Sequence, residues 1–135
     1  MYRSVILALF ALSGWANALT LSPMYFNELA YSDFYMARME IENNSESARY
    51  YDVWVTIDPY ASVPEEGSQY TWSEVLGSNE YKTISVPILN INPDQLEVRY
   101  VCVQERPNYG KLEVVGRACS KLRLYWPRSE LLKLQ

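Results

Sequence analysis

The sequence predicts an all-β protein: an immunoglobulin-like antiparallel β-sandwich in one domain. Three observations carry that prediction. Short stretches alternate apolar and polar side chains repeatedly along the chain, as half-buried strands do. Clusters of Asn, Ser, Pro, Asp and Gly separate those stretches at short intervals, as turns between strands do. No stretch of helical period and useful length occurs before residue 128.

The N-terminal stretch is set apart from the fold. Arg3 precedes the apolar run VILALFALSGWA, and the run closes on Ala16-Asn17-Ala18. A short cationic start, an apolar centre and an A-x-A ending form a secretory signal peptide over residues 1–18. The run is too short and interrupted for a membrane span, although a retained anchor helix is the alternative reading. Residues 19–135 then make the domain, and its location is periplasmic or secreted.

Each strand follows from its pattern. LTLSPMYF (19–26) alternates and contains Pro23, which suits an edge strand because proline donates no ladder bond. FYMARMEIEN (34–43) places Phe34, Met36, Arg38, Glu40 and Glu42 on one side. The other side carries Tyr35, Ala37, Met39 and Ile41, the expected core face. NNSESAR (43–49) is a turn cluster, and its Asn43-Asn44-Ser45 fits an N-glycosylation acceptor, usable only on a eukaryotic secretory route. YYDVWVTID (50–58) carries aromatics on both faces, which predicts burial on both sides. PYASVPEEGSQ (59–69) is loop, EYKTISVPIL (80–89) a strand ending near Pro87, and NINPD (90–94) a turn. In QLEVRYVCVQE (95–105), Leu96, Val98, Tyr100 and Cys102 share one side. RPNYGK (106–111) is a turn, and LEVVGRACSKLRLYW (112–126) is a long final strand. Within it Leu122 and Leu124 share one face, and Lys121, Arg123 and Tyr125 the other. RSELLKL (128–134) is the only short helical candidate.

The residue inventory excludes several chemistries. There is no histidine, so the commonest general base and the commonest metal ligand are missing. A Ser-His-Asp or Cys-His arrangement cannot be built. The carboxylate pairs, Glu40 with Glu42 and Glu65 with Glu66, read as solvated surface, because glycosidase chemistry needs acids facing each other across a cleft. No glycine-rich phosphate loop and no metal spacing occurs, so no cofactor and no enzyme activity is expected. The net charge of −4 argues against nucleic acid, which needs a basic surface. Cys102 and Cys119 are the only cysteines. In an exported protein such a pair is expected to form a disulfide, two buried thiols being the alternative. Twelve tyrosines and four tryptophans offer contact area at low entropic cost, with core packing as their other use.

SKLRLYWPR (120–128) and NPDQLEVRYVCVQERP (92–107) together resemble the N-terminal domain of the periplasmic chaperones of chaperone–usher pilus assembly, here as a stand-alone domain. Asp94, Gln95, Tyr100, Cys102, Val103 and Pro107 fit that family's signature in its sixth strand. Leu96, Glu97 and Arg106 depart from it. The final strand follows the family's pattern of Ser, basic, aliphatic, Lys, Leu and two aromatics, with Arg123 at the Lys position. ARMEIENNSESARYYDVWVTID is similar to the second and third strands.

The resemblance implies a periplasmic chaperone-like module that pairs its last strand with a pilin-like or other client. The basic residue of that strand binds the client's terminal carboxylate, a role that falls on Arg123 beside Lys121. Upstream alternate positions donate side chains to the client, and here they are Val114, Gly116 and Ala118. A Cys102–Cys119 bridge would join the sixth and seventh strands. Two departures stand out. The family's partner arginine near the start of the first strand has no counterpart, since Pro23 or Met24 occupies that place. The donated side chains are small where the family uses bulky aliphatics. The expected partner is a pilin-like subunit or usher-type assembly component, with homodimerisation through a bare edge also expected of such a strand. The competing readings are a minor pilin or other structural subunit of an envelope appendage, and an inhibitor of an envelope enzyme.

Overall fold

The computed structural model describes residues 19–60, 69–106 and 116–134. The strands are β1 (Leu19–Ser22), β2 (Tyr25–Leu29), β3 (Tyr35–Asn43), β4 (Arg49–Thr56), β5 (Gln69–Leu76), β6 (Tyr81–Ile88), β7 (Leu96–Glu105) and β8 (Arg117–Tyr125). A short helix, α1 (Arg128–Lys133), follows them. One sheet has the order β1-β3-β6 and the other β2-β8-β7-β4-β5. All strand pairs are antiparallel except β2 with β8. The predicted immunoglobulin-like sandwich is therefore what the chain forms.

The core fills the space between the sheets. Ala37, Met39 and Ile41 of β3 enter it as their alternation predicts, and Tyr35 packs partly buried at its margin. They meet Tyr51, Val53 and Val55 of β4, Ile84, Val86 and Ile88 of β6, Val101 and Val103 of β7, and Leu122 and Leu124 of β8. β4 is buried on both faces, as expected, for Val53 through Thr56 are all buried in succession. Trp54 belongs to the outer face, yet only 1% of it reaches solvent.

Three expectations need correction. The stretch 19–26 is not one edge strand. It divides at Pro23, after a cis Ser22–Pro23 bond, into β1 in the three-stranded sheet and β2 in the five-stranded sheet. Proline has no N–H for a ladder, and a change of partners there costs no hydrogen bond that residue could have made. Residues 70–76, given no element in the sequence reading, belong with Gln69 to the edge strand β5. Ser73 pairs with Asp52 across that edge, and its hydroxyl donates to Asp52 Oδ1 at 2.7 Å. Finally, β8 is not a bare edge over its whole length. Between Lys121 and Tyr125 it is flanked by β7 on one side and β2 on the other. Residues 112–115 of the expected strand lie outside the described residues.

Polar groups close the ends of the sandwich. Asn43 is fully buried. Its amide donates to the carbonyls of Ser47, Leu76 and Gly77 at 3.0–3.1 Å, and its oxygen accepts from Ser45 N and Oγ. That amide is spoken for within the fold, so the Asn43-x-Ser45 triplet offers no accessible glycan acceptor. Glu97, on the core side of β7, accepts from Asn92, Gln95 and Arg99. Glu105, at the other end of the same strand, pairs with Arg49 at 2.9 Å with its side chain only 6% exposed.

Candidate functional site

β8 has two rows of side chains. The ladder with β7 pairs Cys119 with Cys102, Lys121 with Tyr100, Arg123 with Val98 and Tyr125 with Leu96. These residues form the outward row. The ladder with β2 extends the rows: Tyr25 stands beside Lys121, Asn27 beside Arg123 and Leu29 beside Tyr125. The inward row is Gly116, Ala118, Ser120, Leu122 and Leu124. Leu122 and Leu124 are fully buried, and Ala118 packs against the core.

Arg123 and Lys121 thus sit one above the other on the outer face, as the alternation predicts. Arg123 Nη1 donates to the Tyr25 hydroxyl at 3.2 Å. Among the described residues neither Arg123 nor Lys121 has a carboxylate partner. The neighbourhood also exposes apolar surface: Tyr25, Leu29, Leu96 and Tyr125 are each a third or more exposed, and three of them lie in a single cross-strand row.

The edge of β8 changes character at Ser120. Downstream, β2 covers it. Lys121 N–H donates to the Met24 carbonyl at 3.0 Å, and Ala30 N–H donates to the Tyr125 carbonyl at 2.8 Å. Upstream, the chain has already crossed to the other sheet as β1, and Ser120 Oγ holds the crossing by donating to the Pro23 carbonyl at 2.7 Å. Among the described residues, the stretch from Gly116 to Cys119 therefore has β7 on one side and no strand on the other. Glu105 N–H donates to the Gly116 carbonyl at 2.8 Å. By antiparallel alternation, Cys119 N–H and C=O then point away from β7, toward the open side.

Gly116 and Ala118 are brought to this open stretch, while Val114 lies outside the described residues. A side chain at Gly116 would approach Glu105 Oε2 at 3.4 Å and Leu19 Cβ at 3.5 Å. Gly116 thus borders both the buried Glu105 carboxylate and apolar Leu19, whereas Ala118 packs against the core. Tyr51 lies in the same region of the core. Burial pushes its hydroxyl up to about 12, the nearby Glu105 charge adds to the rise, and Arg49 opposes it.

The two cysteines are bridged, with 4.1 Å between their Cα atoms. They stand directly opposite each other in the β7–β8 ladder. Cys102 is fully buried, whereas Cys119 is partly exposed and borders a cavity of about 380 Å³ with Pro59, Tyr60, Tyr100 and Arg117. Arg117, the first residue of β8, covers this corner. Its Nη2 donates to the Pro59 carbonyl at 2.6 Å and lies 3.9 Å from Cys102 Sγ. Its guanidinium stands 5.1 Å from the centre of the Trp54 ring, within cation–π range. This explains how an outward tryptophan comes to be buried. No periodicity could have revealed it, because Pro59 reaches the site from a loop.

The described residues contain no cluster of three His, Cys, Asp or Glu side chains able to hold a metal ion. No helix among them is long and apolar enough to cross a membrane.

No protein-family model and no curated protein sequence matches the chain. Solved structures do. A chain of the Salmonella enterica SafA pilin–SafB chaperone complex aligns at 15% identity with a TM-score of 0.58, over 81% of this chain and 54% of that one. The Escherichia coli chaperone DraB aligns at 15% identity and a TM-score of 0.56, over 81% and 55%. PapD-like domain 7 of human CEP192 aligns at 11% identity and a TM-score of 0.55, over 81% and 84%. The chain thus has the PapD-like fold of chaperone N-terminal domains, and it spans about half the length of the chaperones it matches.

Proposed function

We propose that the protein is a periplasmic chaperone-like binding module. It adds the open stretch of β8, from Gly116 to Cys119, to an extended segment of a pilin-like protein client. Arg123 and Lys121 receive a carboxylate of that client. The observation that carries this reading is the discontinuity along one strand: β2 occupies the outer edge of β8 from Lys121 onward and leaves it open upstream. An open strand edge supplies main-chain hydrogen bonds to an added strand. The two cations stand immediately beyond it without acidic partners among the described residues.

The fold likeness supports the same reading, since the named neighbours include a chaperone that accompanies a pilin. It also favours a binding module over an enzyme. Arg123 and Lys121 follow one another on a single strand. They can share the task that the family divides between its last strand and the arginine of its first, the position held here by Pro23 or Met24. A guanidinium binds a planar carboxylate in bidentate fashion.

The test begins with capture of the client from periplasmic extract and its identification by mass spectrometry. Binding titrations then compare the native protein with Arg123→Ala and with Lys121→Ala. Loss of a charge-assisted hydrogen bond of about 1.5–3 kcal/mol weakens binding roughly ten- to a hundredfold with little change in melting temperature. Equal affinities would return both cations to plain surface.

A further inference from the structure

The corner around the disulfide holds features that binding through β8 does not use. One sulfur is buried and the other borders solvent. A cation is fixed beside the buried one. A buried indole N–H lies in the adjoining position with no acceptor among the described residues.

We infer that the Cys102–Cys119 disulfide is a site of thiol exchange, in which the thiolate of a small glutathione-class thiol attacks Cys119 Sγ and Cys102 Sγ departs into a pocket built to hold its charge.

The direction of attack follows from access. Cys119 lines the open cavity of about 380 Å³, and Cys102 has no exposed surface. The contact between Cys119 Sγ and the Pro59 carbonyl, at 3.8 Å, is no hydrogen bond, because a bridged sulfur carries no proton.

The direction of departure follows from charge. Arg117 Nη2 lies 3.9 Å from Cys102 Sγ and is pinned by its 2.6 Å bond to the Pro59 carbonyl. Its cation is in place before the reaction begins. A thiol leaves faster when its thiolate is stabilised, and a neighbouring guanidinium stabilises a thiolate. Trp54 stands beside Cys102 in the β4–β7 ladder and beneath the same guanidinium. Its Nε1 is buried without a hydrogen-bond partner among the described residues. Buried donors are rarely left so, and a thiolate at Cys102 would be an acceptor in that corner.

The step balances as an exchange. The incoming sulfur forms a bond to Cys119 Sγ as the bond between Cys119 and Cys102 breaks. The electron pair of the broken bond stays on Cys102, which becomes a thiolate. One disulfide is traded for another, with no net oxidation, and return attack by Cys102 expels the small thiol. Exchange removes the covalent rung beside the open stretch of β8 and leaves the β7–β8 ladder in place.

The test uses the full oxidised chain. The native protein is incubated with glutathione, quenched in acid and mapped by mass spectrometry, with the urea-unfolded protein run beside it. The expected result is a mixed disulfide in the native protein, carried on Cys119. Absence of modification under conditions that modify the unfolded protein, or label mainly on Cys102, overturns the inference. A second arm measures the rate of exchange and the alkylation pH profile of Cys102 in Arg117→Ala and Arg117→Lys. Loss of the cation slows exchange roughly three- to tenfold, the scale on which rates follow a change of one to two units in thiol pKa. It also moves the profile of Cys102 upward, and lysine restores part of both. An unchanged profile in a variant that still melts cooperatively removes Arg117 from the mechanism and overturns the inference. If Arg117→Ala fails to fold, the wild-type map decides.

Discussion

At the scale of single residues, the informative side chains are polar ones drawn inside the sandwich. Glu97 is the clearest. Burial raises its carboxyl, but hydrogen bonds from Gln95, Asn92 and Arg99 and the Arg99 charge outweigh burial and hold it down at about 2. A carboxyl held lower in the folded than in the unfolded chain stabilises the fold fully above the unfolded value near 4.5. That contribution drains away as pH falls toward 2. The Glu97→Ala protein is therefore expected to be less stable than the native protein by about 2 kcal/mol at neutral pH. The gap should close as pH falls below about 4.5, read by urea melts across that range. A gap independent of pH would assign the loss to packing. The comparison between the two proteins matters, because the Ser129 hydroxyl and backbone N–H also hold Asp94 low, and that contribution is common to both. Asn43 gives a second expectation. Asn43→Ala strands the Ser47, Leu76 and Gly77 carbonyls together, with a cost of about 2–3 kcal/mol. A melting curve indistinguishable from native would show that water replaces the amide.

At the scale of elements, β2 decides how much of β8 is available. Met24 C=O and Ala30 N–H both face β8, so by the alternation of a parallel ladder Glu28 N–H faces it too, while Asn27 N–H faces away. Proline at position 28 removes a ladder donor, at a cost of about 1–3 kcal/mol for the carbonyl it leaves unpaired. Glu28→Pro is expected to free β2, lower the melting temperature and raise self-association, because it lengthens the open edge of β8. Asn27→Pro should do far less. Melting curves and sedimentation velocity on the two variants separate the cases, and equal behaviour would mean that β2 does not guard the edge. Most of the elements were legible beforehand. β3, β7 and β8 alternate because each covers the core with one face, and β4 announced its double burial by aromatics on both faces. The division of the first strand was not legible: LTLSPMYF alternates straight through Pro23, and only the geometry of two sheets shows that its halves serve different partners. β5 was missed because Ser73 and Glu74 interrupt its pattern at an edge, where little burial enforces one.

At the scale of the whole molecule, the chain passes repeatedly between the two sheets, first at Pro23, and the disulfide secures the five-stranded one. That bridge spans a sequence separation of 17, and its loss is expected to lower stability by about 3 kcal/mol on a chain-entropy estimate. Urea melts of the Cys102→Ala, Cys119→Ala double variant check this, with an unchanged midpoint as the contrary result. The location of the cations on β8 was readable from the sequence, and so was the pairing of the cysteines. Which part of the strand is covered was not, because that depends on β2, nearly the whole chain away. Nor was the clamp of Arg117 on Pro59 and Trp54, which joins a strand to a loop with no shared pattern.

The pairing of β2 with β8 also sets a timetable. Tyr25 meets Lys121 and Leu29 meets Tyr125, so a strand at the beginning of the domain has its partner at the end. Contacts of such long sequence separation form late and slow the search for the native state. As the chain emerges from synthesis or export, β2 waits unmatched while β3, β4 and β7 are laid down. A chain halted before Arg117 would leave β7 and β2 each with a vacant flank, the condition in which incomplete sheets clump. Residues 117–125 therefore act as the closing stitch of the fold, and the same nine residues that complete the molecule carry Lys121 and Arg123 on their outer row.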